Sequence, residues 1–289
     1  MILGIGEILA DILLNSETGE MRAHVGGAPF NVAVNAAQCG GNAAFLGRVG
    51  DDPIGRFLEK EGTKFPVKAI IQRDKVRPTT LAFVSIDENG ERNFRFTREN
   101  AADYHIETSE EIFNALKPTT VHLGSLMLSE EAGRKTASET IKLCDRFGCK
   151  LSFDVNYRED VFGSAENAAK LFAPYIERAD ILKFSNEEIE AFYGKDVESA
   201  IDLLKNPILC VTCGKDGSIV RFYGKKIRVE TVPVKPVDTT GAGDAFFGAF
   251  LAQIDGKTDF TDEEEMRAIV GKANRKGAEA TLFEGAVKL

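Results

Sequence analysis

A doubly wound, mostly parallel α/β sheet flanked by helices, with a small antiparallel β lid, is the fold that these 289 residues predict. Three observations lead there. Short apolar strands alternate with longer amphipathic stretches. Several of those strands run apolar without alternation, as strands covered on both faces do. One region, from Thr80 to Thr97, breaks the rhythm with two β-like runs around an Asn-Gly turn.

Taken in order, the first strand is Ile2 to Gly6. The apolar run around it, Met1 to Leu14, is interrupted by Glu7 and Asp11 and lacks a basic leader, so it reads as buried strand rather than signal peptide. Further strands are expected at Ala43 to Val49, Thr120 to Gly124, Lys150 to Asp154, Ile181 to Ser185 and Ile208 to Thr212. Helical spacing places helices at Asn31 to Gln38, Ile54 to Glu61, Glu130 to Phe147, Ala165 to Glu177, Glu187 to Tyr193 and Ala245 to Ile254. Strand and helix in alternation imply crossovers and a parallel sheet, with ligands beyond the carboxyl ends of the strands. Thr80 to Ile86 and Arg92 to Thr97 flank Asp87-Glu88-Asn89-Gly90 as a tight hairpin. Ala69 to Gln72 and Asp11 to Leu14 are expected to complete its sheet. The expectation is one domain, 1–289, with a lid inserted at about 11–24 and 68–98.

Composition narrows the function. Lys and Arg total 36 against 45 Asp and Glu, a net charge of −9, which argues against general nucleic-acid binding. No stretch has the length of a membrane-spanning helix. Five scattered cysteines suggest a reducing, cytoplasmic setting. Cys210 and Cys213 share a strand but should face opposite sides, so buried thiols are expected rather than metal or redox chemistry.

The densest motif is Asp238-Thr239-Thr240-Gly241-Ala242-Gly243-Asp244-Ala245-Phe246, followed by an apolar helix. Consecutive N–H groups at a helix start form an anion hole. A carboxylate at its mouth repels phosphate unless it has a task, and taking a proton from an attacking hydroxyl is such a task. Competing phosphate motifs fail. Gly256-Lys257-Thr258 has Leu251 where a Walker loop needs glycine, and Gly4-Ile5-Gly6 has Leu9 where a dinucleotide fingerprint needs its third glycine. Near the other end, Gly26-Gly27-Ala28-Pro29-Phe30-Asn31 permits close ligand approach, Asn31 can donate to and accept from hydroxyls, and Asp11 can accept two hydrogen bonds from a diol.

Residues 26–31, with Gly47-Arg48-Val49-Gly50-Asp51-Asp52-Pro53-Ile54-Gly55, resemble the amino-terminal signature of the ribokinase-type (PfkB) carbohydrate kinases, and Asp238 to Leu251 resembles their carboxyl-terminal signature. The resemblance runs nearly end to end. It implies the ribokinase-like fold and transfer of the ATP γ-phosphate to a sugar hydroxyl. By that resemblance Asp244 matches the catalytic base, and the N–H groups of Gly241, Ala242 and Gly243 match the anion hole beside it. Asp11, Gly27 and Asn31 match positions that hold sugar hydroxyls. Thr212, Gly214 and Gly217 match a nucleotide loop, Asn274 a residue near the adenosine, and Lys183, Ser185 and Glu188 the region that organises magnesium and phosphate. Ser185 stands where the family's Asn-x-x-Glu motif has asparagine. Asp238, Thr240, Ala280 and Gly285 correspond to a monovalent-cation loop, which in some relatives takes potassium. Relatives also pair through their lid sheets, so a homodimer is expected.

Within the family, Phe94 to Asp103, His122-Leu123-Gly124-Ser125-Leu126 and Asp154-Val155-Asn156-Tyr157-Arg158 resemble landmarks of the fructokinase branch. The expected reaction is therefore D-fructose to fructose 6-phosphate, with Arg98 and Arg158 at the substrate. In related 2-keto-3-deoxygluconate kinases, arginines at these places engage the sugar's carboxylate, which makes such an acid the alternative acceptor. A non-catalytic sugar- or nucleotide-binding regulator is a third reading, but it would have no need of Asp244 beside an intact anion hole.

Overall fold

The computed structural model describes residues 1–14, 18–86, 92–257 and 262–289. Strand β1 (Ile2–Ile5) leads into β2 (Leu9–Leu14) and β3 (Met21–Gly26), then α1 (Ala28–Gln38), β4 (Ala43–Gly50), α2 (Pro53–Gly62) and β5 (Lys68–Asp74). After β6 (Leu81–Ile86) and β7 (Arg92–Thr97) come α3 (Glu110–Leu116), β8 (Thr120–Leu123), α4 (Glu131–Phe147) and β9 (Lys150–Asp154). Next are α5 (Glu159–Phe162), α6 (Ala165–Arg178), β10 (Ile181–Ser185), α7 (Asn186–Tyr193), α8 (Val197–Ile201) and β11 (Ile208–Thr212). The chain ends with β12 (Ser218–Phe222), β13 (Lys225–Val229), α9 (Ala242–Ile254) and α10 (Glu263–Ala280).

Nine strands form the main sheet in the order β13-β12-β11-β10-β9-β8-β1-β4-β5. Pairing is parallel from β5 to β11 and antiparallel for β12 and β13. All six apolar strands expected from the sequence are in it, because both faces are covered and nearly all of their residues are buried. Cys210 packs in one face's core and Cys213 against the other, and both are free thiols, as strand alternation required. Helix starts carry readable signals: Asp52 accepts the N–H of Gly55 ahead of Pro53, and Ser164 accepts that of Asn167. The core lies on both sides of the sheet, with Phe30 and Phe45 edge to face at 5.2 Å on one side and Phe153 and Phe172 at 5.8 Å on the other. Helices α1 and α9 cross so closely that a β-carbon on Gly248 would stand 2.5 Å from the Val32 carbonyl oxygen.

Three expectations change. Residues 68–74 are not lid: they pair parallel with β4, from Ala44 beside Lys68 to Gly50 beside Asp74, and form the main sheet's edge. A strand that follows a helix back to the same end of the sheet extends it in parallel. The lid consists of β3-β2-β6-β7, so its insertions are residues 9–26 and 81–97. Nor is it wholly antiparallel, since β2 pairs parallel with β6 while the two flanking pairs are antiparallel. Both inner strands leave the same root, where Ala10 lies beside Leu81, and run outward together. The predicted Asn89-Gly90 turn lies outside the described residues. Sequence reading also passed over β12, β13 and α10. The β12–β13 turn is Tyr223-Gly224, both at positive φ (44° and 83°), a hairpin turn without the Asn-Gly signal.

The third change concerns Arg98, expected at the substrate. It lies immediately after β7, is 7% exposed, and its guanidinium pairs with Asp103, itself 2% exposed. A second nitrogen donates to the Leu126 carbonyl (3.1 Å), and the group lies 4.5 Å over the Tyr104 ring. Asp103 also accepts the Thr80 hydroxyl at 2.6 Å, so one buried ion pair ties the roots of β6 and β7 to the main body. Arg98 is thus a clamp at the lid's root. Removing one partner of such a pair leaves a buried charge uncompensated, so Arg98→Ala should lower unfolding stability by about 3–5 kcal/mol. Denaturant titration checks this, and a loss below about 1 kcal/mol would show that the clamp is not a stabilising element.

Candidate active site

The chain runs from β1 outward to β4 and β5 at one edge, then returns to lay β8 on the other side of β1. The order of connection reverses there, and in open α/β sheets the crevice beyond the strand ends at such a point takes ligands. Glu7 follows β1 and Gly124 follows β8 at this point. A small cavity of about 60 Å³ opens above them, lined by Glu7, Leu9, Asp11, Gly27, Ala28, Asn31, Phe96, Leu126, Asn156, Arg158, Thr240, Gly241 and Asp244. The structure therefore brings together Asp11, Gly27, Asn31, Arg158, Thr240, Gly241 and Asp244, all expected from the sequence. Leu9, Asp11 and Phe96 come from lid strands and wall the cavity from that side.

The two glycines before α1 serve different contacts. A β-carbon on Gly26 would stand 2.1 Å from an Asp11 carboxylate oxygen. Gly27, at φ 111°, would put one 2.4 Å from the Glu7 carbonyl oxygen. Both let a backbone approach that any side chain would block.

At the opposite wall, Gly241 (φ 76°) caps α9 without any side-chain hydrogen bond. Helix starts leave N–H groups without intrahelical partners, and here no side chain of the cap residue fills them. The Asp238 carboxylate accepts the N–H groups of Thr240 and Gly285, both at 2.8 Å, which fixes the loop ahead of the helix. Asp244, in the first turn, accepts from the Asn31 amide at 2.8 Å. Burial pushes its carboxyl up to about 6; the Asn31 hydrogen bond opposes this, Asp154 adds to it, and Lys183 and Arg158 pull back. A carboxylate poised there can take a proton from a hydroxyl in the cavity.

A larger cleft of about 650 Å³ lies on the other side of the same helical turn. Thr212, Gly214, Lys215, Asp216 and Gly217 line it with Val232, Pro233, Thr239, Ala242, Gly243, Phe246, Asn274 and Gly277. Thus Gly243 faces one cavity and Asp244 the other, within one turn of α9. Gly217 (φ 84°) is obligatory, since a β-carbon would stand 2.1 Å from the Val229 carbonyl oxygen. Asn274 lines the cleft, but its side chain is engaged: Nδ2 donates to Val229 (2.8 Å) and Oδ1 accepts from Ser218 (2.9 Å).

Lys183, Ser185 and Glu188 do not line either cavity. Lys183 Nζ donates to both Asp154 oxygens at 2.9 Å, and a β-carbon on Gly243 would stand 3.2 Å from it, so this ammonium underlies the anion hole. Burial disfavours its charge, but Asp154 more than restores it, so Lys183 stays cationic. Ser185 and Glu188 form a capping box on α7, and the other Glu188 oxygen accepts the Tyr157 N–H at 2.7 Å. That contact anchors the loop that presents Asn156 and Arg158. Ala280, at the end of α10, is buried, and Thr281 beside it accepts the N–H groups of Val237 and Asp238.

Sequence reading missed Glu7 and Asn156 as site residues. Asn156 has φ 37°, a conformation asparagine tolerates, but a single asparagine carries too little signal. Glu7 is marked in the sequence only as a carboxylate that interrupts an apolar run.

Comparison with known proteins completes the picture. The model of the pfkB family carbohydrate kinases matches residues 1–287. A probable fructokinase-2 of Arabidopsis thaliana is 37% identical over 306 residues, covering 99% of this chain and 92% of that protein. The fructokinase of Xylella fastidiosa with bound ATP superposes with a TM-score of 0.89 at 29% identity, over 99% of this chain and 93% of that one. A fructokinase double mutant from Vibrio cholerae O395, in its fructose-, ADP- and potassium-bound form, gives 0.87 at 32% identity, over 99% and 93%. With Asn31 of the first signature hydrogen-bonded to Asp244 of the second and the family's model matching residues 1–287, this chain belongs to the pfkB family of carbohydrate kinases.

Proposed function

We propose that this chain transfers the γ-phosphoryl group of ATP to D-fructose, giving fructose 6-phosphate. The observation that carries this reading is the division of labour within the first turn of α9, with Gly243 on the large cleft and Asp244 on the small cavity. ATP occupies the cleft and the sugar the cavity, so the reacting groups meet across that turn. The hydroxyl oxygen attacks the γ-phosphorus, its proton passes to Asp244, and ADP leaves. Asn31 donates to Asp244 Oδ2, which fixes the orientation of the carboxylate. The α9 N–H groups and Lys183 are preorganised toward the transferring charge and need no rearrangement.

The fructose-bound Vibrio relative and the Arabidopsis probable fructokinase support the choice of sugar. Arg98 also bears on it. Its guanidinium is committed to Asp103 and does not line the cavity, which among the described residues leaves Arg158 as the lining cation to meet a substrate carboxylate. A neutral ketose suits that cavity better than 2-keto-3-deoxygluconate.

Magnesium would arrive with ATP. Each Glu188 oxygen accepts one backbone N–H and keeps a further lone pair, so the carboxylate suits a hydrated magnesium, which would neutralise phosphate charge. The oxygen-rich loop of Asp238, Thr240, Ala280 and Gly285, with Asp238 buried at its centre, suits potassium, which would steady the anion hole. No helix among the described residues is long and apolar enough to cross a membrane. A cytoplasmic setting remains our reading of the family and the free thiols.

The outer lid face carries exposed Leu14, Met21 and Phe83; Leu14 pairs with Met21, and Phe83 with Ile12 two residues away on the same face. We infer that two copies pair there. Light scattering should report a dimer that Phe83→Asp dissociates, and a monomeric wild type would refute the pairing.

Asp244→Asn should lower kcat by about 10²–10⁴-fold with ATP affinity retained, since the amide keeps the shape but cannot accept a proton. More than about a tenth of wild-type kcat in the mutant would exclude Asp244 as base. Its carboxyl is raised to about 6 and works ionised, so activity should be present above that pH and fall as pH drops through it. For the acceptor, kcat/KM for fructose should exceed that for 2-keto-3-deoxygluconate in both wild type and Arg158→Lys. A wild-type preference for the acid that collapses in the mutant would assign the carboxylate sugar instead.

A further inference from the structure

Glu7 is 0% exposed and lies at the floor of the acceptor cavity, at the point where the sheet's connections reverse. Its Oε1 accepts the N–H of Ala28 at 3.2 Å. Ala28 is the first residue of α1, whose own cap residue, Gly27, has no side chain to offer. A carboxylate from the end of β1 therefore caps this helix. One turn further along α1 stands Asn31, whose amide holds Asp244. The second Glu7 oxygen, Oε2, has no hydrogen-bond partner among the described residues, and a β-carbon on Gly124 would crowd it at 3.0 Å. An isolated buried carboxylate oxygen is costly to keep, and Gly27, at φ 111° against the Glu7 carbonyl, leaves no room for a capping side chain of its own.

Building on the reading of Asp244 as base, we propose that Glu7 is a positioning residue for phosphoryl transfer: by holding the first turn of α1 it sets, through Asn31, the orientation of Asp244. The charged groups around Glu7 are Arg98 at the root of β7, Asp103 in the 102–105 turn, Asp244 in α9, and Asp11 and Arg158, which share the cavity. Burial lifts the Glu7 carboxyl to about 7; Arg98 opposes this, and Asp103 and Asp244 add to it. Ionised Glu7 is a charge-assisted acceptor at a helix start and grips Ala28 more firmly than the protonated acid. The firm grip is gained as pH rises through about 7 and lost below it.

The test is kcat for fructose at saturating ATP across pH, in wild type, Glu7→Gln and Glu7→Ala. Wild type should climb in two steps, near 6 and near 7, which belong to the coupled pair of carboxyls. Glu7→Gln keeps an oxygen for Ala28 but cannot ionise, so only the lower step should remain, with its plateau reached about one pH unit earlier. Glu7→Ala should lose roughly ten- to a hundredfold in kcat with ATP affinity unchanged, and Glu7→Gln should recover most of that loss. A Glu7→Gln profile that superposes on wild type after scaling would overturn the proposal. So would Glu7→Ala raising the KM for fructose with kcat unaltered, which would make Glu7 a simple sugar contact. Should Glu7→Ala fail to fold, the comparison of Glu7→Gln with wild type still decides. Absence of wild-type turnover with fructose would instead strike the proposed function.

Discussion

The hydrogen bond from Asn31 to Asp244 joins residues 213 positions apart, and the rest of the molecule is arranged so that it can form. It requires α1 and α9 to lie almost in contact, which Gly248 permits by presenting no side chain to the Val32 carbonyl. It requires both helices to begin at the same end of the sheet, each with a glycine at its start in a backbone conformation that other residues resist. The nine-stranded sheet holds those two starts rigidly, and the apolar side chains between helices and sheet fix their separation.

Around this contact the protein keeps an unusual density of buried charge, and each charge has a distinct setting. Arg98 and Asp103 neutralise each other at the lid's root, and Lys183 and Asp154 do so beneath the anion hole. Glu188 is satisfied by two backbone N–H groups. Desolvation penalises every one of these groups, and paired or hydrogen-bonded partners offset it. Burial still lifts the Glu188 carboxyl, and it lifts Asp244 and Glu7 as well, to about 6 and about 7. Groups whose protonation changes near neutral pH are suited to moving or sensing a proton, and Asp244 and Glu7 both lie on the acceptor cavity.

The lid follows from the same economy. Two hairpins rise from one root, so their inner strands pair in parallel, and the clamp of Thr80, Asp103 and Arg98 ties both hairpins' inner anchor to the sheet. Phe96 and Asp11 reach the cavity from strands whose opposite face is apolar, buried at Ala10 and Ile12 and exposed at Leu14 and Phe83.

Local chemistry determined much of this in advance. Runs such as Ile2–Ile5 and Ile208–Thr212, bounded by turn residues, have the length and β-branched content of covered strands, and the glycines and carboxylate of residues 238–244 mark a helix start with free N–H groups. What a residue meets across the fold is another matter. Arg98 and Arg158 look equivalent in sequence, yet Asp103 takes one and the cavity keeps the other. Residues 68–74 have the composition of a lid strand and join the main sheet, because strand pairing depends on where a neighbouring edge lies open. Glu7 reads as an interruption of an apolar run until β1, β8 and α1 converge on it. Backbone preference and hydrophobic pattern act over a few residues and are written locally, whereas ion pairing, register and desolvation depend on partners that only the folded chain supplies.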